Sequence, residues 1–226
     1  MYKVFLCLIA FIYPLTTHSQ TFLPPSTQSQ HEVFFADFNQ DQRADLAIRN
    51  YIDGAVRIYF NLGTTFSSQP DIVSTGVSVP DIVSWELMFA DINGDGRADL
   101  INRNRNSGQN FFHLFTGSGF TPTAVFDFTS PGGASWKTRF HDFNGDGKAD
   151  LININNNSGD VFIHLNVGGT NFTTLAGYLF SALAVPTATN SGWDHAFAEV
   201  TGDGHLDFLN IYLPFVHFNL HTGNGS

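Results

Sequence analysis

The sequence predicts an all-β fold built from repeated four-stranded antiparallel sheets. Four copies of one acidic loop recur along the 226-residue chain, at residues 37–45, 91–99, 142–150 and 199–207. Their first residues are 54, 51 and 57 positions apart, and a nearly fixed period in this range is typical of a repeat architecture. Short alternating or apolar runs flank the loops, and no stretch keeps a helical apolar period over three turns.

Each repeat has the same order of predicted elements. A first strand runs into the loop, a second strand leaves it, and a turn and a third strand follow. A glycine-rich turn then leads to a weaker fourth strand, such as residues 119–128. The first strands are predicted at 31–37, 84–91, 135–142 and 192–199. Since four antiparallel strands in about 50 residues form one propeller blade, we expect a β-propeller of four such blades, with the acidic loops between strands one and two.

The N-terminal segment has the features of a signal peptide. Residues 1–19 combine Lys3, an apolar run too short to span a bilayer, and small residues at the expected cleavage positions. The alternatives are an uncleaved anchor or a buried first strand. Cleavage would remove Cys7, the only cysteine, and leave residues 20–226 as a propeller without disulfides, secreted and not membrane-spanning.

The two ends of the chain are expected to complete one blade together. The last repeat stops where its fourth strand should begin, so residues 21–30 are expected to pair as the outer strand of the blade built from 193–222. This pairing would cover an exposed apolar edge and close the ring. The alternative is that the four repeats are part of a larger propeller.

The charge distribution limits the possible partners. The net charge is −10, and twelve of the 20 acidic residues lie in the four loops. The acidity is therefore local. Ten Lys and Arg residues do not form a basic stripe, so no nucleic-acid partner is expected.

The loops have the composition of a calcium site. Their pattern is D-x-N-x-D-G-x-x-D, and side-chain oxygens at positions 1, 3, 5 and 9 can surround one point together with the carbonyl of position 7. Such hard oxygen donors suit Ca²⁺, and the absence of cysteine and of any regular histidine disfavours zinc. An EF-hand is excluded because position 12 is Ile48 or asparagine and the flanking elements are strands. An Asx-rich turn without metal is the alternative.

At these positions the sequence resembles the FG-GAP/VCBS repeats of integrin α-chain propellers and of secreted bacterial and fungal propeller proteins. The resemblance covers nearly all of residues 20–226 and implies calcium ligands at loop positions 1, 3, 5 and 9. In the first three loops these are Asp37, Asn39, Asp41, Asp45, Asp91, Asn93, Asp95, Asp99, Asp142, Asn144, Asp146 and Asp150; in the fourth they are Glu199, Thr201, Asp203 and Asp207. Gln42 replaces the glycine of the first loop, and the fourth loop departs most from the pattern. Members of the family bind glycans, matrix or partner proteins, or accompany separate catalytic domains.

A second candidate site lies at the rim opposite the loops, where strand one begins and strand two ends. Each of three tryptophans stands six residues before its loop, and polar residues follow strand two. The candidate ligand-binding residues are Trp85, Trp136, Trp193, Asn104, Arg105 and Asn155. Tryptophan offers a flat apolar face to a sugar ring, and asparagine and arginine offer hydrogen bonds to hydroxyls. The alternative is blade-to-blade packing, because Trp85 alternates with Leu87 and Phe89 on one face of its strand.

No catalytic residues are expected. The sequence contains no G-x-S-x-G, H-E-x-x-H or P-loop motif, and the close carboxylate pairs are better explained by calcium. The sequence therefore predicts a secreted, extracellular calcium-binding propeller that is not an enzyme and acts as a glycan-binding or adhesion module, with glycans or a partner protein surface as its ligand. The alternatives are the accessory portion of a longer secreted hydrolase and a purely structural surface repeat.

Overall fold

The structure of the chain is a computed structural model. It describes residues 31–77, 83–155, 157, 160–168, 171–174, 194–198, 207–212 and 215–219, the last three ranges as backbone. Within these ranges the chain forms fifteen β-strands and no helix. Consequently, this part of the chain contains no helix that could cross a membrane.

The strands form separate antiparallel sheets in chain order. The first sheet contains β1 (His31–Ala36), β2 (Asp45–Asn50), β3 (Val56–Tyr59) and β4 (Ile72–Ser74). The second contains β5 (Trp85–Ala90), β6 (Asp99–Asn104), β7 (Gln109–His113) and β8 (Phe126–Thr129). The third contains β9 (Trp136–His141), β10 (Asp150–Asn155), β11 (Val161–Asn166) and β12 (Phe172–Thr174). The prediction of four-stranded antiparallel blades is confirmed for these three sheets, which we call blades 1 to 3.

The fourth sheet is described in part. It contains β13 (Asp194–Ala198), β14 (Asp207–Tyr212) and β15 (Phe215–Asn219), in that order. Residues 21–30, the predicted outer strand of this sheet, lie outside the described residues, as do residues 1–19. Closure of the ring and cleavage of a signal peptide therefore remain predictions.

The fourth strand of blade 2 is shorter than the sequence predicted. Instead of residues 119–128, β8 covers only Phe126–Thr129. The preceding residues fold into a small turn, closed by an isolated bridge between Phe115 and Phe120. Pro122 then follows this turn, and its lack of an N–H disfavours continuous strand pairing.

The core lies between neighbouring blades. The second strands are almost completely buried in all three blades, because each forms the middle of a sheet that is covered on both faces. The first strands of neighbouring blades face each other. In blade 1, Phe34 and Ala36 pack in the same cluster as Leu87 and Phe89 of blade 2, which confirms that these two residues of β5 mediate blade-to-blade packing.

Phenylalanine rings fill the next interface. Phe112 of blade 2 stacks on Phe126 with ring centroids 4.4 Å apart and on Phe172 of blade 3 at 5.5 Å. Its edge contact with Phe140 of blade 3 measures 5.7 Å between centroids. Aromatic pairs at these separations stabilise the interface beyond the area they bury.

The turn after β6 depends on a glycine at a close backbone contact. Gly108 has φ +77°, and a Cβ atom at this position would lie 1.8 Å from the carbonyl oxygen of Ser130. The Ser130 N–H donates to the Gly108 carbonyl at 2.9 Å. The Gly108 turn therefore has no room for a side chain.

We predict that Gly108→Ala lowers the free energy of unfolding by about 3 kcal/mol or more, because the methyl group must displace backbone. Gly133→Ala is the matched control: Gly133 has φ +96° with open space around it, so the cost should be about 1–2 kcal/mol of backbone strain. Urea denaturation of both variants measures the difference. Equal losses would show that the close contact does not limit stability.

Candidate functional site

The first half of the second acidic loop is organised by its own side chains. Asp91 Oδ1 accepts the N–H groups of Gly94 at 2.8 Å and Asp95 at 3.2 Å, and its Oδ2 accepts that of Gly96 at 2.7 Å. Asn93 Oδ1 accepts the Asp95 N–H at 2.8 Å, and Asp95 Oδ1 accepts that of Arg97 at 2.9 Å. The result is a series of nested Asx turns. Gly94 and Gly96 make these turns possible, since both have positive φ, at +79° and +80°.

The third loop repeats this geometry. Asp142 accepts the N–H groups of Gly145 at 2.8 Å, Asp146 at 3.1 Å and Gly147 at 2.8 Å. Asn144 Oδ1 accepts the N–H of Asp146 at 3.0 Å, and Asp146 Oδ1 accepts the N–H of Lys148 at 2.9 Å. The repeated sequence pattern therefore gives one repeated local structure.

The first loop adopts the same turns without glycine. Gln40 and Gln42 take positive φ values of 68° and 63°, which costs a residue with a side chain about 1–2 kcal/mol each. The Gln42 N–H nevertheless donates to Asp37 Oδ2 at 2.7 Å. Arg43 forms an ion pair with Asp41 at 2.5 Å, so one proposed ligand of this loop already has a cationic partner.

The ninth position of each loop has a different environment. Asp45, Asp99 and Asp150 have no exposed surface. Asp99 Oδ2 accepts the Ile92 N–H at 3.0 Å, and its Oδ1 accepts the Phe115 N–H beyond the third strand at 2.7 Å. Asp45 and Asp150 accept the equivalent pairs, which are Phe38 with Asn61 and Phe143 with Asn166. Each of these carboxylates therefore joins its loop to the end of the third strand.

Burial of these carboxylates disfavours their charged form. The pKa of Asp99 is raised to about 6, mainly by desolvation. Hydrogen bonds from two backbone N–H groups lower this pKa, whereas the negative charges of Asp95 and Asp91 raise it further. Asp150 behaves in the same way, with a pKa of about 6. Burial also raises the pKa of Asp91. The acids of the second loop thus repel one another in the absence of a cation.

The donor set fits calcium in chemical type. The residues at positions 1, 3 and 5 of the second loop present hard oxygen atoms on an exposed turn. No Lys, Arg or His among the described residues forms an ion pair with the carboxylates of this loop, whereas Lys148 Nζ lies 3.6 Å from Asp146 Oδ2 in the third. In the described part of the chain, no three carboxylate or histidine side chains converge into one group that could hold a metal. The ninth carboxylate is turned toward backbone N–H groups, although each oxygen retains a lone pair.

The fourth loop is largely outside the described ranges. Glu199, Thr201 and Asp203 are not described, and Asp207 is the first residue of β14.

Trp85 and Trp136 lie where the sequence predicted, on the rim where strand two ends. Trp85 pairs in register with Asn104, and Trp136 pairs with Asn155. Both rings are half-buried. Each contacts a phenylalanine of its own third strand: Trp85 lies 5.7 Å from Phe111, and Trp136 5.6 Å from Phe162, between ring centroids. We call Trp85, Trp136, Asn104, Arg105 and Asn155 the tryptophan rim. Trp193 lies outside the described residues.

Two buried arginines below this rim were not identified from the sequence. Arg49 and Arg103 have side chains only 1% exposed, and they pair with Glu32 at 3.4 Å and Glu86 at 3.5 Å. Arg103 also donates to the carbonyl of Pro131 at 3.0 Å, between blades 2 and 3. The sequence did contain a sign of these two ion pairs. In blades 1 and 2 an arginine follows the apolar residues of the second strand, and a glutamate is the second residue of the first strand. Arg105 lies nearby, with Nε 3.8 Å from Glu86.

Comparison with solved structures finds similar folds. A lectin from Agrocybe aegerita, whose structure shows specific recognition of non-reducing terminal N-acetylglucosamine, matches with a TM-score of 0.62 and 23% identity over 87% of this chain and 50% of the lectin chain. A Photorhabdus luminescens Tc holotoxin pore, carrying the TccC3 mutation D651A, matches with a TM-score of 0.61 and 22% identity over 82% of this chain and 9% of that chain. The chain thus spans about half the length of the lectin, and at these identities the likeness concerns the fold.

The repeats also match a known family. A comparison with curated proteins found no match. The family model described as "FG-GAP-like repeat" matches three overlapping segments, residues 37–102, 91–153 and 142–209, each of which runs from one acidic loop through the strand after the next. Together these segments cover most of the sequence, and the chain therefore belongs to the FG-GAP-like repeat family.

Proposed function

We propose that this chain is a secreted, calcium-stabilised propeller module that binds glycans on a partner surface and catalyses no reaction. The observation that carries the proposal is the pair of equivalent, half-exposed tryptophans on one rim. Each ring leaves part of its surface open beside an asparagine amide. Secretion rests on the features of residues 1–19.

The tryptophan rim has the chemistry of a sugar-binding surface. The C–H face of a pyranose packs on an exposed indole, while amide and guanidinium groups bind hydroxyls. Because the arrangement occurs in two neighbouring blades, a branched or clustered glycan would engage both positions, and avidity would compensate for weak single contacts. The fold similarity to a lectin that recognises terminal N-acetylglucosamine supports this sugar as the first probe.

The acidic loops are proposed to hold calcium at the opposite rim. In the second loop, Asp91, Asn93 and Asp95 would contribute side-chain oxygens and Arg97 its carbonyl, and the third loop would use the equivalent residues. Bound calcium supplies the positive charge that offsets the clustered carboxylates. The first loop is the weaker candidate, because Arg43 already pairs with Asp41.

The buried carboxylate at position 9 is proposed to be both a calcium ligand and a structural acceptor. As an acceptor for two backbone N–H groups it holds the blade together with or without a cation, whereas Asp95 faces solvent. Substitutions at the two positions should therefore separate folding from calcium binding.

We predict that calcium raises the melting temperature of the wild-type protein, by mass action on the folded state. At 100 times the dissociation constant, each site would contribute about 2.7 kcal/mol. Asp95→Ala should remove part of this gain and change stability little in EDTA. Thermal denaturation in calcium and in EDTA tests this, and identical curves for the wild type in both buffers would refute calcium binding.

Asp99→Ala should instead cost about 2–4 kcal/mol even in EDTA, because the N–H groups of Ile92 and Phe115 lose their buried acceptor. Denaturant unfolding in EDTA compares this variant with Asp95→Ala. A neutral Asp99→Ala would contradict the structural role of the ninth position.

The tryptophan rim predicts a separable loss of binding. Trp136→Ala should reduce binding to immobilised terminal N-acetylglucosamine glycans at least tenfold, while far-UV circular dichroism remains that of the wild type. Trp136→Phe is the matched control, since it keeps an aromatic ring against Phe162 and should retain partial binding. If Trp136→Ala unfolds the protein and Trp136→Phe binds like the wild type, packing rather than recognition explains this residue.

A further inference from the structure

The acidic loops of neighbouring blades are joined through the main chain. The N–H of Ala98 donates to the carbonyl of Asp37 at 2.8 Å, and that of Ala149 donates to the carbonyl of Asp91 at 2.7 Å. In both cases position 8 of one loop contacts position 1 of the preceding loop. Positions 1 and 9 are proposed calcium ligands, and position 8 is adjacent to position 9. Each of these hydrogen bonds therefore connects the main chain beside a ligand of one loop to the main chain beside a ligand of the preceding loop.

Asn166 adds a side-chain bridge between the second and third loops. It ends β11 and is 1% exposed. Its Nδ2 donates to the carbonyl of Ile92 in the second loop at 2.8 Å and to that of Ala149 in the third at 3.3 Å. Its backbone N–H donates to Asp150 Oδ1 at 2.7 Å. One buried residue therefore contacts both loops.

The bridge continues to the ninth position of the second loop. The Ile92 carbonyl accepts from Asn166, and the Ile92 N–H donates to Asp99 Oδ2 at 3.0 Å. A continuous path thus links Asp150, Asn166, Ile92 and Asp99. All four residues are at most 3% exposed, so water does not compete for these bonds and each depends on its neighbours.

At the interface between blades 1 and 2, the side chain at the equivalent position does not bridge the loops; the exposed Gln40 amide of the first loop donates instead to the Asp95 carbonyl of the second. The position equivalent to Asn166 is Phe115 in blade 2. Its N–H donates to Asp99, as expected, but its ring packs on Phe38 of the first loop with centroids 5.8 Å apart. A ring contact does not fix the orientation of a peptide group as a pair of hydrogen bonds does.

We propose that Asn166 couples the second and third loops, so that calcium bound at one raises the affinity of the other. The inference rests on the calcium binding proposed above. An ion held by the third loop would restrain Asp150 and the neighbouring peptide, and through Asn166 the Ile92 peptide that orients Asp99. The second loop would then lose less conformational freedom when it binds its own ion. Asn166 acts here as a positioning residue.

A calcium titration of the full chain with site-resolved NMR tests the coupling. The amides of Gly96 and Gly147 report on the second and third loops separately, since each donates to the first carboxylate of its own loop. In the wild type we expect two coincident curves that are steeper than a single-site isotherm. Asn166→Leu removes the amide at similar volume and should weaken calcium binding at Gly96 fivefold or more, at the lower end of typical couplings.

Asn61→Leu is the matched control. Asn61 is the equivalent residue of blade 1, and its Nδ2 donates to Ala44 of its own loop at 3.0 Å. This substitution should leave the curves of Gly96 and Gly147 unchanged. If Asn61→Leu and Asn166→Leu weaken calcium binding at Gly96 equally, the assignment of the coupling to Asn166 is wrong.

Loop substitutions give a second measurement that keeps Asn166 intact. Because coupling is reciprocal, Asp146→Ala should weaken binding at Gly96, and Asp95→Ala should weaken binding at Gly147, by the same factor. If each substitution affects only its own loop, the coupling is absent although calcium binds. If neither glycine of the wild type responds to calcium, the proposed calcium sites themselves are wrong.

Discussion

The buried carboxylate at position 9 of the first three acidic loops is the contact on which their blades depend. Asp45, Asp99 and Asp150 each accept one N–H from their own loop and one from the end of the third strand. Three consecutive elements of the blade therefore meet at one side chain. An ionisable group without exposed surface is costly to bury, and the paired donors compensate for that cost by satisfying both oxygens.

The same contact places the blades relative to one another. Position 8 of a loop directly precedes the carboxylate at position 9. The carboxylate that holds its own blade together therefore also positions the N–H group of position 8, which donates to the preceding loop. Around these polar bonds, apolar clusters fill the interfaces, with Phe38 and Phe115 between blades 1 and 2 and Phe112 and Phe140 between blades 2 and 3. Directional bonds define the register, and aromatic and aliphatic side chains together supply the buried apolar surface.

The two candidate sites lie at opposite ends of the first strands. A six-residue strand such as β5 separates the acidic loop from the tryptophan by about 20 Å, given a rise of about 3.3 Å per residue. An ion at the loops would therefore not touch a glycan on the tryptophan rim. Its influence on recognition would act through the rigidity of β5 and β9, which carry a tryptophan at one end and a loop at the other.

The sequence by itself determined the repeat, the order of strands and the local form of the loops. These features follow from interactions over a few residues: alternation defines strands, and Asp, Asn and Gly at fixed spacing define nested turns. The placement of Trp85 and Asn104 on one rim also followed, because a hairpin brings the start of its first strand beside the end of its second. The length of β8 did not follow, since bonds within the turn at Phe115 and Phe120 compete with strand pairing.

Only the tertiary structure decided which polar residues are structural. Asp95 and Asp99 belong to one motif, yet the first is exposed and the second has no exposed surface, because the end of the third strand closes over position 9. Likewise, Arg103 reaches the carbonyl of Pro131, and Asn166 reaches Ile92 across 74 positions, because blades 2 and 3 are adjacent. Such contacts depend on how sheets pack, and a pattern with a period of one blade carries no information on the distance between blades.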